Sequence, residues 1–326
     1  MKNSLTFVGI DISKNTLDIC SLQGEKKLKK RISNNKKAIK AFFRCSEPQQ
    51  LKVCFENTGR YGRKIVEVLT SLNISFYEVN PLHLHKSIGL TRGKDDIVDA
   101  FRIAKFLEKN YKDLKPYQKP EPGIEKLKAL MSHRNLLIKQ RAQLKAKNKE
   151  NLLIADLDLP QLEEHGAELI KLLTEKIKQT QKLITEVIEQ NKLLRNQYQL
   201  INAIPGVGPI LSWNMLIKTN AFKSITNPRK FACYAGVAPF SKSSGTSVFG
   251  RASVSIYADK SIKKILHLAA MRAIQLPSDF KQYYHRKVNE GKNKMSVLNA
   301  IRNKIIHRIF AIIKNQEKYN INLQVS

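Results

Sequence analysis

Four carboxylates stand in three short motifs. Asp11 closes the apolar run of TFVGIDISK (residues 6–14), Glu56 follows the largely apolar run 51–55 and opens the ENTGRYG of CFENTGRYG, and Asp96 and Asp99 lie in GKDDIVDA. An isolated acid at the end of a buried strand is costly to desolvate and needs a cation or a donor beside it. Acids delivered by three elements suit a hard divalent ion, Mg²⁺ or Mn²⁺, which prefers carboxylate oxygen. Two such ions, about 4 Å apart, stabilise the attacking and leaving oxygens of a phosphodiester displacement. Each acid alone has a plainer reading: Asp96 as a charge at a helix N-terminus, Glu56 as a partner of Arg60. Asp95 competes with its neighbour Asp96. His83 and His85 in PLHLH alternate as on a strand or loop and lack a third ligand, so they read as structural or RNA-contacting.

A second chemical group lies in FACYAGVAPFSKSSGTSVFGRASVS, residues 231–255. Rich in Gly and Ser and poor in helix formers, it reads as a loop or short-strand segment between helices, where chemistry commonly sits. Ser241, Ser243, Ser244 and Ser247 are each nucleophile candidates on chemistry alone. Gly245 after Ser244 lets backbone approach a DNA strand closely. Lys242 and Arg251 are read as nucleic-acid contacts.

The elements that must position these groups are legible in order. Residues 5–32 form three β-prone runs separated by Asn15 and Gly24, the third of them basic and ending Lys30-Arg31-Ile32. Ser33-Asn34-Asn35 caps a helix to about residue 45; a strand over 51–55, a helix over 61–72 and a strand over 74–79 follow. Three antiparallel strands, then helix, strand, helix, strand, is the order of an RNase H-like α/β domain. Asp11 and Glu56 then lie side by side, although 45 residues separate them. A helix beginning near Lys94 carries Asp96 and Asp99, one turn apart, over the same sheet edge.

Residues 117–123 hold Pro120 and Pro122 and read as a linker; beyond them the chain is long-helical to residue 200, broken around 157–166. A heptad places Ile170, Ile177, Ile184, Asn191 and Tyr198 at one core position and Leu173, Thr180, Val187, Leu194 and Ile201 at the other. That pattern predicts a two-stranded coiled coil between chains, with Asn191 fixing register. The alternative is a hairpin within one chain, because Ile124, Leu127, Met131, Leu137 and Leu144 make the preceding helix amphipathic too. Gly206-Val207-Gly208-Pro209 between two apolar helices matches a helix-hairpin-helix, with Gly206 and Gly208 admitting a phosphate to backbone N–H groups. An ordinary helix–helix turn is the other reading. Residues 262–314 are helical and basic.

Composition bounds the partners. In 326 residues, 58 Lys and Arg face 27 Asp and Glu, a net charge of +31, which calls for a polyanionic partner. No segment reaches the roughly 20 apolar residues of a spanning helix, and Lys2 and Asp11 rule out a signal peptide. Four scattered cysteines without CxxC spacing argue for reduced thiols and against structural zinc. The expectation is a cytoplasmic protein with no membrane association.

GIDISK, ENTGRYG, GKDDIVDA, IPGVGP, YAGVAP and SSGTS, in that order, resemble the DEDD transposases of the IS one-ten insertion-sequence family, relatives of the Piv-type DNA invertases. The resemblance covers nearly the whole chain. It implies a RuvC-like N-terminal domain (1–115), a helical coiled-coil connector (116–200) and a mainly helical C-terminal transposase domain with the serine loop (201–326). It also implies site-specific recombination of donor and target DNA guided by a structured bridge RNA. By the same resemblance Asp11, Glu56, Asp96 and Asp99 hold the metal and Ser244 is the nucleophile, in a composite site formed by a homodimer or a dimer of dimers. The sequence departs from the family where a basic Lys-Arg-Gly often follows the serine loop: here Tyr257-Ala258-Asp259 stands. A metal-dependent Holliday-junction resolvase using the acids alone is the competing enzyme; a non-catalytic RNA-binding scaffold leaves the acids unexplained.

Overall fold

The computed structural model describes residues 5–44, 46–88, 96–151, 160–244 and 248–319; for residues 85, 88, 96, 97, 151, 241–244 and 248–252 only the backbone is described. The chain divides into two compact units, residues 1–119 and 120–326.

Unit 1 contains β1 (Thr6–Ile12), β2 (Thr16–Gln23), β3 (Lys26–Ser33), α1 (Lys36–Phe43), β4 (Leu51–Glu56), α2 (Arg63–Ser71), β5 (Ser75–Val79), α3 (Pro81–Ile88) and α4 (Asp96–Asn110). The sheet order is β3-β2-β1-β4-β5, antiparallel across β3, β2 and β1 and parallel across β1, β4 and β5. This is the expected topology. β1 and β4 are apolar almost throughout because both sheet faces are covered. Val8, Ile10, Leu17, Val53 and Phe55 pack with Ile39 and Phe43 of α1 and Ile65 and Leu69 of α2. On the other face Phe7, Cys20, Cys54 and Tyr77 pack with Ala100, Ile103, Ala104 and Leu107 of α4. Asn35 begins α1 as expected, its Oδ1 accepting from Ala38 N at 2.8 Å.

One contact fixes where α4 lies. Gly9 pairs with Cys20 on one side and Cys54 on the other, so a row of small residues crosses the sheet. A Cβ on Gly9 would sit 2.2 Å from both the Ala100 carbonyl oxygen and the Ala104 nitrogen. Phe7, nearer the start of β1, meets Tyr111, just past the end of α4, at 5.1 Å between ring centroids. The helix therefore runs opposite to β1, and its acidic N-terminus reaches the edge where β1 and β4 end.

Burial also pushes the thiols up, Cys54 to about 12. Alkylation at neutral pH is therefore expected to spare Cys20 and Cys54 in the folded chain and to modify both after denaturation, as read by mass spectrometry. Labelling of native Cys54 would contradict this packing.

PLHLH is a helix, not the extended segment its alternation suggests. Asn80 Oδ1 accepts from Leu82 N at 2.9 Å and Pro81 occupies the first helical position, where its missing N–H costs nothing. His83 packs edge-on against Phe106, with centroids 5.4 Å apart.

Unit 2 holds α5 (Ile124–Asn151), α6 (Pro160–Glu189), α7 (Lys192–Asn202), α8 (Pro209–Thr219), α9 (Pro228–Tyr234), β6 (Phe240–Ser244), β7 (Val248–Ser253), α10 (Lys260–Ala273), α11 (Asp279–Asn289) and α12 (Lys294–Asn315). α5 and α6 pack antiparallel in a hairpin: Arg141 donates to Thr174 Oγ1 at 3.1 Å, and Leu127 and Met131 are buried in one cluster with Ile184 and Ile188. The heptad seam is thus spent within one chain, and the hairpin alternative is the one realised. Asn191 is no core position. It lies beyond α6 and caps α7, its Oδ1 accepting from Leu194 N at 3.1 Å while Nδ2 donates to the Pro122 carbonyl at 3.0 Å.

Candidate functional site

The strand register assembles the first group. Ile10 pairs with Phe55, so the next residues, Asp11 and Glu56, are neighbours at the ends of parallel strands and share the face that α4 covers. Asp11 also pairs with Asp18 across β2, and Asp18 with Arg31 across β3. Arg31, Asp18, Asp11 and Glu56 thus form one row across the sheet. Asp18 is 1% exposed and receives Arg31 Nε at 2.7 Å. That pair neutralises the inner acid, while Asp11 and Glu56 remain half-buried at the rim. Sequence reasoning missed Asp18 and Arg31. The signal was an acid at an alternating position inside the apolar TLDICSL run, opposite a basic strand.

Asp99 lies in the first turns of α4, its Oδ1 accepting from Arg102 at 2.7 Å. Asp96 is the first residue of that helix, and its side chain, like Asp95 altogether, lies outside the described residues. Among the described residues no group of three His, Cys, Asp or Glu side chains converges as a metal cage. The donor chemistry nevertheless fits a hard divalent cation: carboxylates only, two of them adjacent in register, and a helix N-terminus bearing two more over the same edge.

The serine segment is an antiparallel hairpin. Lys242 pairs with Gly250, Ser243 with Phe249 and Ser244 with Val248, after a slip in register between Phe240 and Lys242. Ser244 is therefore the last residue of β6. Gly245 and Ser247 lie outside the described residues, as do the side chains of Ser241, Lys242, Ser243, Ser244 and Arg251.

The hairpin's neck is clamped at Asp259, which the sequence reading took only as a departure from a basic motif. Asp259 N donates to the Tyr234 carbonyl at 2.9 Å, and Oδ2 accepts from the Tyr234 hydroxyl at 2.8 Å and from Lys218 Nζ at 2.7 Å. Oδ1 caps α10 through Ser261 N at 2.9 Å and Ile262 N at 3.2 Å. Burial opposes the charge, but Lys218, Ser261 and Tyr234 outweigh it and hold this carboxyl well below the usual range. In the folded chain the position serves as an anchor.

The two glycines of the α7–α8 turn differ. Gly206 has φ +82°, and a Cβ there would lie 2.5 Å from the Ala269 carbonyl oxygen, so contact with α10 accounts for it. Gly208 precedes Pro209 with open space where a Cβ would stand, which leaves room for a ligand at the N-terminus of α8.

Comparison with known proteins fits both halves. A transposase family, DEDD_Tnp_IS110, matches residues 8–155, which carry all four acids, and the Transposase IS116/IS110/IS902 family matches residues 198–285, which carry the glycine turn and the hairpin. The chain is similar to the pilin gene-inverting proteins of Moraxella bovis and Moraxella lacunata, each 26% identical over 332 residues that span 97% of this chain and 98% of the relative. An uncharacterized 43.6 kDa protein of insertion element IS110 from Streptomyces coelicolor is 26% identical over 146 residues, 42% of this chain and 36% of that protein. The DEDD match agrees with the RNase H-like order of the sheet. With its N-terminal and C-terminal parts both matched in order, the chain belongs to the IS110 family of transposases, enzymes that cleave and rejoin DNA.

Proposed function

We infer that this chain is a site-specific DNA recombinase of an insertion sequence that joins donor to target DNA through a serine ester, with a divalent metal and a structured guide RNA. The observation that carries the reading is the register that brings Asp11 and Glu56 together beneath the N-terminus of α4. Asp11, Glu56, Asp96 and Asp99 hold the metal, Mg²⁺ or Mn²⁺, which when bound stabilises charge on the phosphate and the leaving oxygen. Ser244, at the end of β6, supplies the nucleophile. Its Oγ forms a bond to phosphorus, its proton passes to solvent, and the displaced deoxyribose oxygen leaves as a hydroxyl. Return of a hydroxyl to that ester reseals the strand, so exchange needs no ATP. Phosphate contacts from Lys242, Arg251 and the Gly206–Gly208 turn supply affinity, and base pairing to the guide supplies sequence choice, since no element among the described residues presents a base-reading face. The active assembly is a homodimer or a dimer of dimers.

The test is recombination of donor and target DNA by purified chain with Mg²⁺, with and without RNA transcribed from the DNA that flanks its gene. Exchange is expected only with the RNA, and nicked substrate should trap a phosphoserine adduct that maps to Ser244. An adduct on another serine refutes the nucleophile, and recombination without RNA refutes the guide. Full activity in Ser244→Ala would favour the resolvase reading, in which acids alone cut.

A further inference from the structure

β3 is a basic strand at the border of the sheet, paired with β2 alone. Residues 26–31 read Lys-Lys-Leu-Lys-Lys-Arg, with Glu25 as the one acid in 24–33, and every residue from Lys26 to Arg31 is exposed. The pleat divides these cations between two faces. Lys27 and Lys29 pair with Leu22 and Cys20, which are buried beneath α4, so both belong to the α4 face. Lys26 and Lys30 belong to the other face with Ile32, which packs against the cluster of α1 and α2. The side chains agree: Lys27 Nζ lies 3.4 Å from the ring centroid of Phe101 in α4, and Lys30 Nζ lies 5.9 Å from that of Phe42 in α1. Burial raises the Cys20 thiol, and the charges of Lys27 and Lys29 beside it partly offset that rise.

The ladder on the α4 face has a direction. Arg31 stands two residues beyond Lys29 on the same face, in the row that holds Asp18, Asp11 and Glu56. Strands lie about 4.8 Å apart, which puts Arg31 about 10 Å from Asp11 across the sheet. Lys29 and then Lys27 follow at steps of two residues, about 6.7 Å each. That step is close to the separation of successive phosphates along a nucleic-acid strand. Arg31 is engaged with Asp18 at 2.7 Å, whereas among the described residues neither Lys27 nor Lys29 has a carboxylate partner. Lysines on an edge strand also deter pairing with another chain, but that role is indifferent to the face on which they lie.

We propose that Lys29 and Lys27 form a phosphate track along β3 that holds a DNA strand on its way to the acid row. The proposal rests on the reading of Asp11 and Glu56 as part of the DNA-cutting site. An exposed ammonium keeps its charge and reaches a phosphate without burial cost, and two in line fix the path of a backbone without reading its bases. Charge selects the occupant: a second copy of a chain with net charge +31 is repelled from this edge, and a polyanion is attracted. DNA is favoured over RNA because the track ends in the row of the acids, and the strand that the acids meet is the one to be cut.

The test compares two charge-matched double variants of the full-length chain. Lys27→Gln with Lys29→Gln should weaken binding of a duplex carrying the element's end about tenfold and lower the slope of log K against log salt by about two, one for each lost phosphate contact. Lys26→Gln with Lys30→Gln removes the same charge from the other face, and its affinity should stay within about twofold of the wild type. Cleavage by the first variant should show a raised KM with kcat kept, the mark of contacts made equally in the ground and transition states. Equal losses in both variants would reduce the track to net charge. Unchanged DNA affinity in the first variant would leave its lysines as edge protection, and loss of affinity for structured RNA alone would assign the face to RNA. Any of these results overturns the proposal. Asp11→Asn without metal should bind DNA with the wild-type slope, so a failed metal assignment, read in cleavage, is distinguishable from a failed track, read in binding.

Discussion

Asp11→Asn is expected to abolish DNA cleavage, by a factor on the order of 10³ or more, while the protein stays folded. The substitution preserves shape and removes one of the two carboxylates that the β1–β4 register sets side by side. A divalent ion gains most from the anionic oxygens, and an amide oxygen in the same place is a weak ligand. Stability should change little, since the amide keeps the shape of the side chain at the rim beside Glu56. Thermal unfolding without metal should show a similar midpoint, and the midpoint gain on adding Mg²⁺ or Mn²⁺ should shrink. Cleavage at the wild-type rate would overturn the metal assignment.

Gly9→Ala should cost about 1–3 kcal/mol or more and should impair cleavage further than that loss explains. The new methyl would come within 2.2 Å of backbone atoms on two successive turns of α4, and backbone cannot rotate away as a side chain can. The helix must lift or slide. Asp96 and Asp99 belong to its first turns, so their backbone positions shift relative to Asp11 and Glu56. A misplacement near 1 Å is enough to lose about 10² in rate. Cleavage measured at 25 °C, where the variant is still folded by circular dichroism, separates the two effects. Wild-type cleavage in a folded Gly9→Ala would show that the seat of α4 does not govern the site.

How far the sequence discloses this arrangement depends on whether a local pattern has one spatial solution. The runs at β1 and β4 have one: strands apolar on both faces must lie central and parallel, and that alone places Asp11 beside Glu56. The heptad of α6 has two, because Ile177, Thr180 and Ile184 fit a helix from a second chain as well as α5 of the same chain. What decides is that α5 and α6 pack antiparallel within the chain, a tertiary fact that no periodicity encodes. Asn191 misled for a related reason. It sits at heptad spacing, yet an Asn that can cap a new helix ends the old one. Asp259 was illegible because its partners, Tyr234 and Lys218, come from elements 25 and 41 residues away. Asp18 and Arg31 lay within reach of a register argument, since β2 and β3 are joined by a tight turn at Gly24.

The seat of α4 on Gly9 has a consequence for the order of assembly during synthesis. Asp11 leaves the ribosome well before Ala104, which locks α4 against the sheet and follows Gly9 by 95 residues. At about 5–20 residues per second that interval is roughly 5–20 s. Through it the nascent chain carries β1 and the β2–β3 ribbon, both of low contact order, while the parallel β1–β4 pairing awaits closure of a long loop. Asp11 and Glu56 thus come together with the N-terminus of α4 only when the first unit has been made, and until then the nascent chain is a strand-forming, basic segment.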